Sequence, residues 1–386
     1  MTKQIINTRV KKERAVLVGV DERRLQGGWK IESSLEELNQ LARTAGAEVV
    51  GKFVQKMEKA SSTHYLGSGK LQELIDLKEE LKYDTAIFND ELAPRQQRNL
   101  EEALGVKVID RTALIIDIFA RSASTSEGKL QVELAQHQYL LPRLEGQWSH
   151  LERLGGGIGT RGPGESQIET DRRLIRSKIA SIKKEIEAVR RHRELYRRKR
   201  KKSNTPLVAL VGYTNAGKST LLNAISKSNV LTENKLFSTL DPVTRRLRLP
   251  DGRNILLTDT VGFIHKLPTL IVAAFHATLE ELEEADLLLH VVDITSPEAV
   301  SQSNTVEQIL KELDLSEKPQ INVINKIDRV VENLEDAGEI SLLIETPPET
   351  TVVVSAVKNW NLDKLLEKIS AFLKETCGDD KEFWAH

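Results

Sequence analysis

Residues 207–219 constrain this chain more than any other stretch. Leu207-Val-Ala-Leu-Val211 is an unbroken apolar run. Bounded by a glycine, it reads as a strand buried on both faces. It passes directly into Gly212-Tyr213-Thr214-Asn215-Ala216-Gly217-Lys218-Ser219, and Thr220–Ile225 then opens a helix. A strand, a glycine loop of the form G-x-x-x-x-G-K-[ST] and a helix, in that order, predict an α/β fold with a central, mostly parallel sheet. The glycines let backbone N–H groups turn inward toward phosphate. Lys218 can then reach the β- and γ-phosphates, and Ser219 can ligate Mg²⁺.

A phosphate loop alone does not choose the base; later motifs do. Ile321-Asn-Val-Ile324 reads as a strand ending in Asn325-Lys326-Ile327-Asp328, the pattern N-K-x-D. The Asp328 carboxylate can accept from N1–H and the exocyclic amine of guanine together, a donor pair that adenine lacks. Asn325 can serve the other base edge, and the Lys326 stem can pack beside the ring. Ser355-Ala356-Val357 follows one more strand, where a backbone N–H can meet the guanine oxygen. Asp259-Thr260-Val261-Gly262 matches D-x-x-G: Asp259 suits Mg²⁺ through water, and the Gly262 N–H suits the γ-phosphate. Between these lies Phe237-Ser238-Thr239-Leu240-Asp241, a threonine loop. Thr239 is the expected second Mg²⁺ ligand, ahead of Thr244 and Thr232. All the motifs stand in chain order at strand ends, which predicts GTP/GDP binding and a hydrolytic site built on Lys218, Thr239 and Gly262. Phe263 occupies the position after Gly262, where many regulatory GTPases place a water-orienting glutamine. Phenylalanine cannot hydrogen-bond water, so hydrolysis is expected to be slow until a partner completes the site. Asn215 adds K⁺ as a candidate second cation.

The remainder divides into two regions. Residues 1–120 alternate strand and helix signals, predicting a small parallel α/β domain, with Ser34 capping a helix that stops at Gly46. Gly67-Ser-Gly-Lys70 reads as a turn before a helix. Residues 121–202 carry two apolar stripes at steps of four and three: Leu130, Leu134, His137, Leu141, Leu144, Trp148 and Leu151, then Ile175, Ile179, Ile182, Ile186 and Val189. A glycine-rich loop at 154–165 separates them. Two such stripes around a break suggest an antiparallel helical, coiled-coil-like hairpin, with Pro142 kinking its first arm. The G domain is then expected over 203–376, with 377–386 as a short tail.

Charge sharpens the second region. The whole chain has 56 Lys/Arg against 57 Asp/Glu, a net of −1. From Asp171 to Lys202 there are 15 Lys/Arg and 4 Asp/Glu, a net of +11, which leaves −12 elsewhere. A uniformly basic protein is excluded; a basic surface is not, and this arm suits an anionic partner. Aromatics at 4% argue against a stacking platform for single strands. With one cysteine, Cys377, the chain cannot form an intrachain disulfide. No apolar stretch approaches the roughly 18–20 residues of a membrane span, and the N-terminus carries no signal-like apolar run.

Three segments together give a resemblance. The G-domain motifs, the loop Gly155-Gly156-Gly157-Ile-Gly-Thr-Arg161-Gly-Pro-Gly-Glu165 and the upstream Tyr65-Leu-Gly-Ser-Gly-Lys70 resemble the HflX family of translational GTPases over nearly the whole chain. Ser238 and Val243 depart from residues the family often carries there, and a C-terminal domain present in some members is expected to be missing. The resemblance implies ribosome-stimulated GTP hydrolysis and binding to the 50S subunit or the 70S ribosome. It also implies splitting or rescue of ribosomes under stress, with the hairpin and its loop near the peptidyl-transferase region. An RNA-contacting set follows: Gly155, Gly156, Gly157, Arg161, Arg172, Arg173, Arg197, Arg198, Lys199 and Arg200. A glycine-rich tip has little side-chain bulk, and a basic arm neutralises phosphates. The alternative is an RNA-binding assembly factor in which GTP only gates affinity; a metabolic enzyme lacks any convergent acid/base set. A cytoplasmic monomer is expected, with peripheral membrane association left open.

Overall fold

The computed structural model of the protein describes residues 12–377 apart from 23–28, 147–162, 203–204, 228–235, 238, 269, 272–275, 334 and 336–347. The chain forms two compact units, one of residues 1–118 with 139–173, the other of 119–138 with 174–386.

The first unit holds β1 (Arg14–Glu22), β2 (Glu48–Met57), β3 (Thr85–Phe88) and β4 (Lys107–Asp110), in the order β2-β1-β3-β4 with every pairing parallel. Helices α1 (Ile31–Thr44), α2 (Ser68–Leu81) and α3 (Pro94–Leu104) alternate with the strands, as βαβ connections require. Proline at the first turn and Gly105 at the left-handed end (φ 58°) bound α3, so its limits were legible. Ser34 is a correction: α1 begins three residues earlier, and Ser34 lies buried inside it, bonded to Asn89 across the top of the sheet. Tertiary satisfaction of its hydroxyl overrode its capping preference. Gly67 sits at the N-cap of α2, and Lys70 is paired with Glu73 on that helix.

Helices α4 (Arg111–Ser122), α5 (Ser126–Gly146) and α6 (Pro163–Lys202) follow. Pro142 lies inside α5. Among the described residues of α5 the buried positions are Glu127, Gly128, Gln131, Val132, Ala135 and Tyr139, whereas Leu130, Leu134, His137, Leu141 and Leu144 of the stripe are only half-buried; Trp148 and Leu151 lie outside the described residues. Small and polar side chains occupy that face, so hydropathy spacing pointed to the wrong one. Along α6 the spacing holds better: Ile182 is fully buried and Ile175, Ile179, Ile186 and Val189 are half-buried. Within the second unit Lys178 of α6 pairs with Glu133 of α5 at 3.1 Å.

The second unit carries β5 (Leu207–Gly212), β6 (Val243–Arg248), β7 (Asn254–Asp259), β8 (Leu287–Asp293), β9 (Gln320–Asn325) and β10 (Thr351–Val353), ordered β10-β9-β8-β5-β7-β6. Only β6 runs antiparallel, on β7. Helices α7 (Lys218–Ser226), α8 (His276–Glu283), α9 (Ala299–Glu312) and α10 (Leu362–Cys377) complete it. Val208, Leu210, Leu257, Leu289, Val291, Val323 and Leu365 are among the fully buried side chains of its core. Covering both faces of the central strands makes β5 apolar at every position. The consequence for function is positional. The loops after β5, β7, β9 and β10 emerge at one sheet edge, the carboxyl end where ligands of such folds bind. No helix among the described residues is long and apolar enough to cross a membrane.

Candidate nucleotide site

The phosphate loop wraps from β5 to α7. Gly217 takes φ +96°, and a Cβ there would run into the Asn325 side chain, so glycine is required for conformation and space together. Lys218 is buried, and its Nζ donates to the Gly212 and Tyr213 carbonyls at 3.1 and 2.8 Å. Burial pushes its pKa down to about 8, Asp259 opposing the shift and Lys326 adding to it. An ammonium held in a dry loop is a strong partner for a polyphosphate.

Three oxygens converge beside it. Ser219 Oγ donates to Asp259 Oδ2 at 2.5 Å, Thr239 Oγ1 donates to the same atom at 2.9 Å, and the two hydroxyls are 2.7 Å apart. Asp259 is fully buried; burial raises its carboxyl pKa, with Lys218 the largest opposing influence. Its Oδ1 is buried and has no hydrogen-bond partner among the described residues. An orphaned carboxylate oxygen beside two hydroxyls is the donor set of a hard cation. This donor set, Ser219, Thr239 and Asp259, fits Mg²⁺. No group of three His, Cys, Asp or Glu suited to a metal occurs among the described residues.

The alternatives to Thr239 separate by place. Thr244 lies in β6, opposite Thr258 of β7, and the two hydroxyls bond to each other at 2.8 Å. Thr232 and Ser238 lie outside the described residues.

Several of the named residues turn out to brace the site. Asn325 is buried; its Nδ2 donates to the Ala216 carbonyl at 2.9 Å and its Oδ1 accepts from the Ala356 N–H at 3.1 Å. These two bonds tie the phosphate loop to the loop after β10, and they leave the amide one further N–H and one further lone pair. The Ala356 N–H is the one bonded to Asn325. One oxygen of Asp328 accepts from Ser355 Oγ at 2.6 Å, which helps fix the carboxylate. Lys326 stands at φ 67°, and its Nζ bonds the Asn215 carbonyl at 2.8 Å and Asp293 at 2.6 Å. Thr260 Oγ1 donates into the sheet at Leu210, Ile327 is core, Leu240 and Val261 are buried, and Val357 is exposed. Thr214 Oγ1 accepts from the Phe237 N–H at 3.2 Å, and Thr220 is half-buried on α7. Asp241 points away from the phosphate loop and binds Ser124 and Thr125.

Phe263 is buried at 3% exposure, and its backbone is committed. Its N–H donates to the Gly212 carbonyl at 3.1 Å and its carbonyl accepts from Thr214 N–H at 2.7 Å. The stretch from Asp259 to Phe263 is thereby bolted to the phosphate loop, a brace reinforced by Tyr213, whose hydroxyl accepts from His265 N–H at 2.7 Å. Asp293 was missed, although its place was legible: it ends β8 in register with Asn325 at the end of β9.

Of the RNA-contacting set, Gly155, Gly156, Gly157 and Arg161 lie outside the described residues. Arg172 is half-buried and Arg173 exposed on α6, and Arg197, Arg198, Lys199 and Arg200 continue that helix.

Comparison with known proteins places this site in a family. Residues 32–120 match a model described as GTP-binding GTPase N-terminal, residues 122–200 the GTP-binding GTPase middle region, and residues 207–326 a 50S ribosome-binding GTPase. A GTPase HflX of Caldanaerobacter subterraneus subsp. tengcongensis is 51% identical over 95% of this chain and 82% of its own length. The chain belongs to the HflX GTPase family. The GTPase HflX of Escherichia coli is 46% identical over 76% of this chain and 69% of its own length. A GTP-binding protein of Sulfolobus solfataricus in complex with GDP shares 26% identity over 94% of this chain and 99% of that one, at a TM-score of 0.45. As an HflX GTPase, the protein hydrolyses GTP.

Proposed function

We propose that this HflX protein is a ribosome-associated switch. GTP orders the loops of Thr239 and Asp259, and hydrolysis releases them to change affinity for the large ribosomal subunit or the 70S particle, splitting or rescuing stalled ribosomes. The observation that carries the switch is the convergence of Ser219 and Thr239 on Asp259, whose second oxygen is orphaned. Mg²⁺ held there would neutralise charge between the β- and γ-phosphates. Thr239 comes from a loop outside the sheet, so its engagement reports the γ-phosphate. Lys218 sets charge against the phosphates, the Gly262 N–H faces the γ-phosphate, and Asp328 reads guanine. Asn215, exposed at φ 62° in the phosphate loop, suits K⁺ as a further charge on the transferring group. Phe263 is buried and cannot orient water, which supports slow hydrolysis alone and stimulation by the ribosome.

Support for the ribosomal partner is twofold: the match to a 50S ribosome-binding GTPase model over 207–326 and the net +11 of residues 171–202 on one helix. Sucrose-gradient sedimentation of 70S ribosomes with the protein and GTP, a non-hydrolysable analogue or GDP tests the reading. The expected result is cosedimentation with the analogue and nucleotide-dependent loss of 70S particles. Cosedimentation with intact 70S under every nucleotide would instead favour a GTP-gated assembly factor, and no cosedimentation would refute ribosome association.

A further inference from the structure

The threonine loop is fastened at two points on either side of Thr239, and both fastenings use partners outside the nucleotide motifs. On one side Phe237 sits at φ 59°, buried, with its ring edge-on to Phe119 of α4 at a centroid distance of 4.6 Å. On the other side Asp241 meets the start of α5. Its Oδ2 accepts from Ser124 N–H at 2.9 Å, Ser124 Oγ at 2.7 Å and Thr125 N–H at 2.9 Å, and its Oδ1 accepts from Thr125 Oγ1 at 2.5 Å. Thr125 Oγ1 also accepts from the Gly128 N–H at 2.9 Å, so the hydroxyl that caps α5 is the one that holds Asp241. Gly128 is what admits the carboxylate: a Cβ there would collide with Asp241 Oδ1.

An acidic group at this end of a 21-residue helix is favoured by the dipole and by two donated backbone N–H groups. Burial raises the Asp241 carboxyl, and the bonds from Thr125 and Ser124 outweigh it, so that the pKa lies below the usual carboxylate value. Thr239, two residues away, meanwhile stands 2.7 Å from Ser219 Oγ and 2.9 Å from Asp259 Oδ2. The loop holds its threonine at the cation-binding oxygens while its own next carboxylate is bonded to α5.

We infer that Asp241 is a positioning residue for GTP hydrolysis: by clamping the threonine loop to Ser124 and Thr125 at the start of α5, it holds Thr239 where the Mg²⁺ ligands converge. This rests on Thr239 being a Mg²⁺ ligand. It adds that the middle region is part of the machinery that sets the hydrolysis rate, because the clamp's other half belongs to the segment leading into the helical arm.

The test uses the full-length chain and four variants: Asp241→Ala, Thr125→Ala, the double variant, and Thr239→Ala. Asp241→Ala is expected to lower kcat about tenfold, as for loss of hydrogen bonds to a charged group, and to raise the Mg²⁺ concentration for half-maximal rate severalfold. GDP affinity and the melting temperature should stay close to those of the parent, which a merely structural role would not give. Thr125→Ala should act in the same direction, and the double variant should fall no further than Asp241→Ala, since both break one clamp. If Asp241→Ala and Thr125→Ala keep the parental kcat and Mg²⁺ dependence while Thr239→Ala loses activity, the clamp is overturned and the Mg²⁺ reading stands. A faster Asp241→Ala enzyme also overturns it. If Thr239→Ala itself hydrolyses at the parental rate, the reading beneath the inference fails.

Discussion

Replacing Gly262 by alanine should slow hydrolysis selectively while nucleotide binding survives. A Cβ built on Gly262 stands 2.6 Å from Thr214 Cα and 3.0 Å from Lys218 Nζ, whereas ordinary contact begins at 3.4 Å. Relief requires about 0.8 Å of movement at Thr214, the difference between 3.4 and 2.6 Å. Lys218 can shift, being the far end of a flexible chain. Thr214 Cα is backbone, and the Thr214 N–H is bonded to the Phe263 carbonyl at 2.7 Å on the other side of Gly262. The two strands of the brace therefore cannot part without losing that bond. The remaining freedom is to push Gly262 away from the γ-phosphate position. A misplacement near 1 Å costs about 10²-fold in rate, so single-turnover hydrolysis should fall by about that factor, or about 2.7 kcal/mol of transition-state stabilisation. GDP does not need the Gly262 N–H, so fluorescent GDP should bind within about threefold of the parent affinity. Gly69→Ala is the control: an added Cβ there has nothing within 4 Å. Hydrolysis by Gly262→Ala within threefold of the parent would refute the argument that this contact sets the geometry.

The two candidate threonines separate by substitution: Thr239→Val should lower kcat about 10²-fold, and Thr244→Val, whose hydroxyl meets Thr258, should leave it within about twofold; equal losses in steady-state assays would contradict the assignment. His290 is buried with its pKa pushed down to about 4, mainly by burial. Between the ordinary value of 6.5 and 4 the unfolded state takes the proton and the folded state does not, so stability is lost as pH falls through that window. His290→Gln should flatten the loss in urea titrations from pH 7 to 4.5, and an unchanged slope would count against it. In the first unit the Arg111–Glu37 pair is buried, with Arg111 also on Asn89 at 3.2 Å. Arg111→Met strands the Glu37 charge and should cost about 3–5 kcal/mol by chemical denaturation; a loss below 1 kcal/mol would show the pair to be expendable.

Much of the fold was legible because its signals are local. The limits of α3 follow from Pro94 and Gly105, and the phosphate loop follows from a buried strand ending at Gly212. The motifs at Asp259, Asn325 and Ser355 could be placed because parallel strands deliver their loops to one edge of a sheet. Ser34 and the face of α5 were not legible, since each was decided by a partner distant in sequence. The Ser34 hydroxyl found Asn89, 55 positions on, and α5 buried its small and polar side chains instead of its leucines.

What the sequence by itself determined is the set of chemical groups: a phosphate loop, a carboxylate at Asp328 in an N-K-x-D motif, a serine hydroxyl and an aspartate for the cation proposed above, and a basic arm, each encoded in a few adjacent residues. Tertiary structure alone decided which threonine stands at Ser219 and Asp259. It also set Asn325 as a brace between Ala216 and Ala356, and it gave Asp241 to Ser124 and Thr125 more than a hundred positions upstream. The physical reason is the same in each case. A short polar side chain has several possible partners of similar worth, and only the packed arrangement of backbone around it selects one.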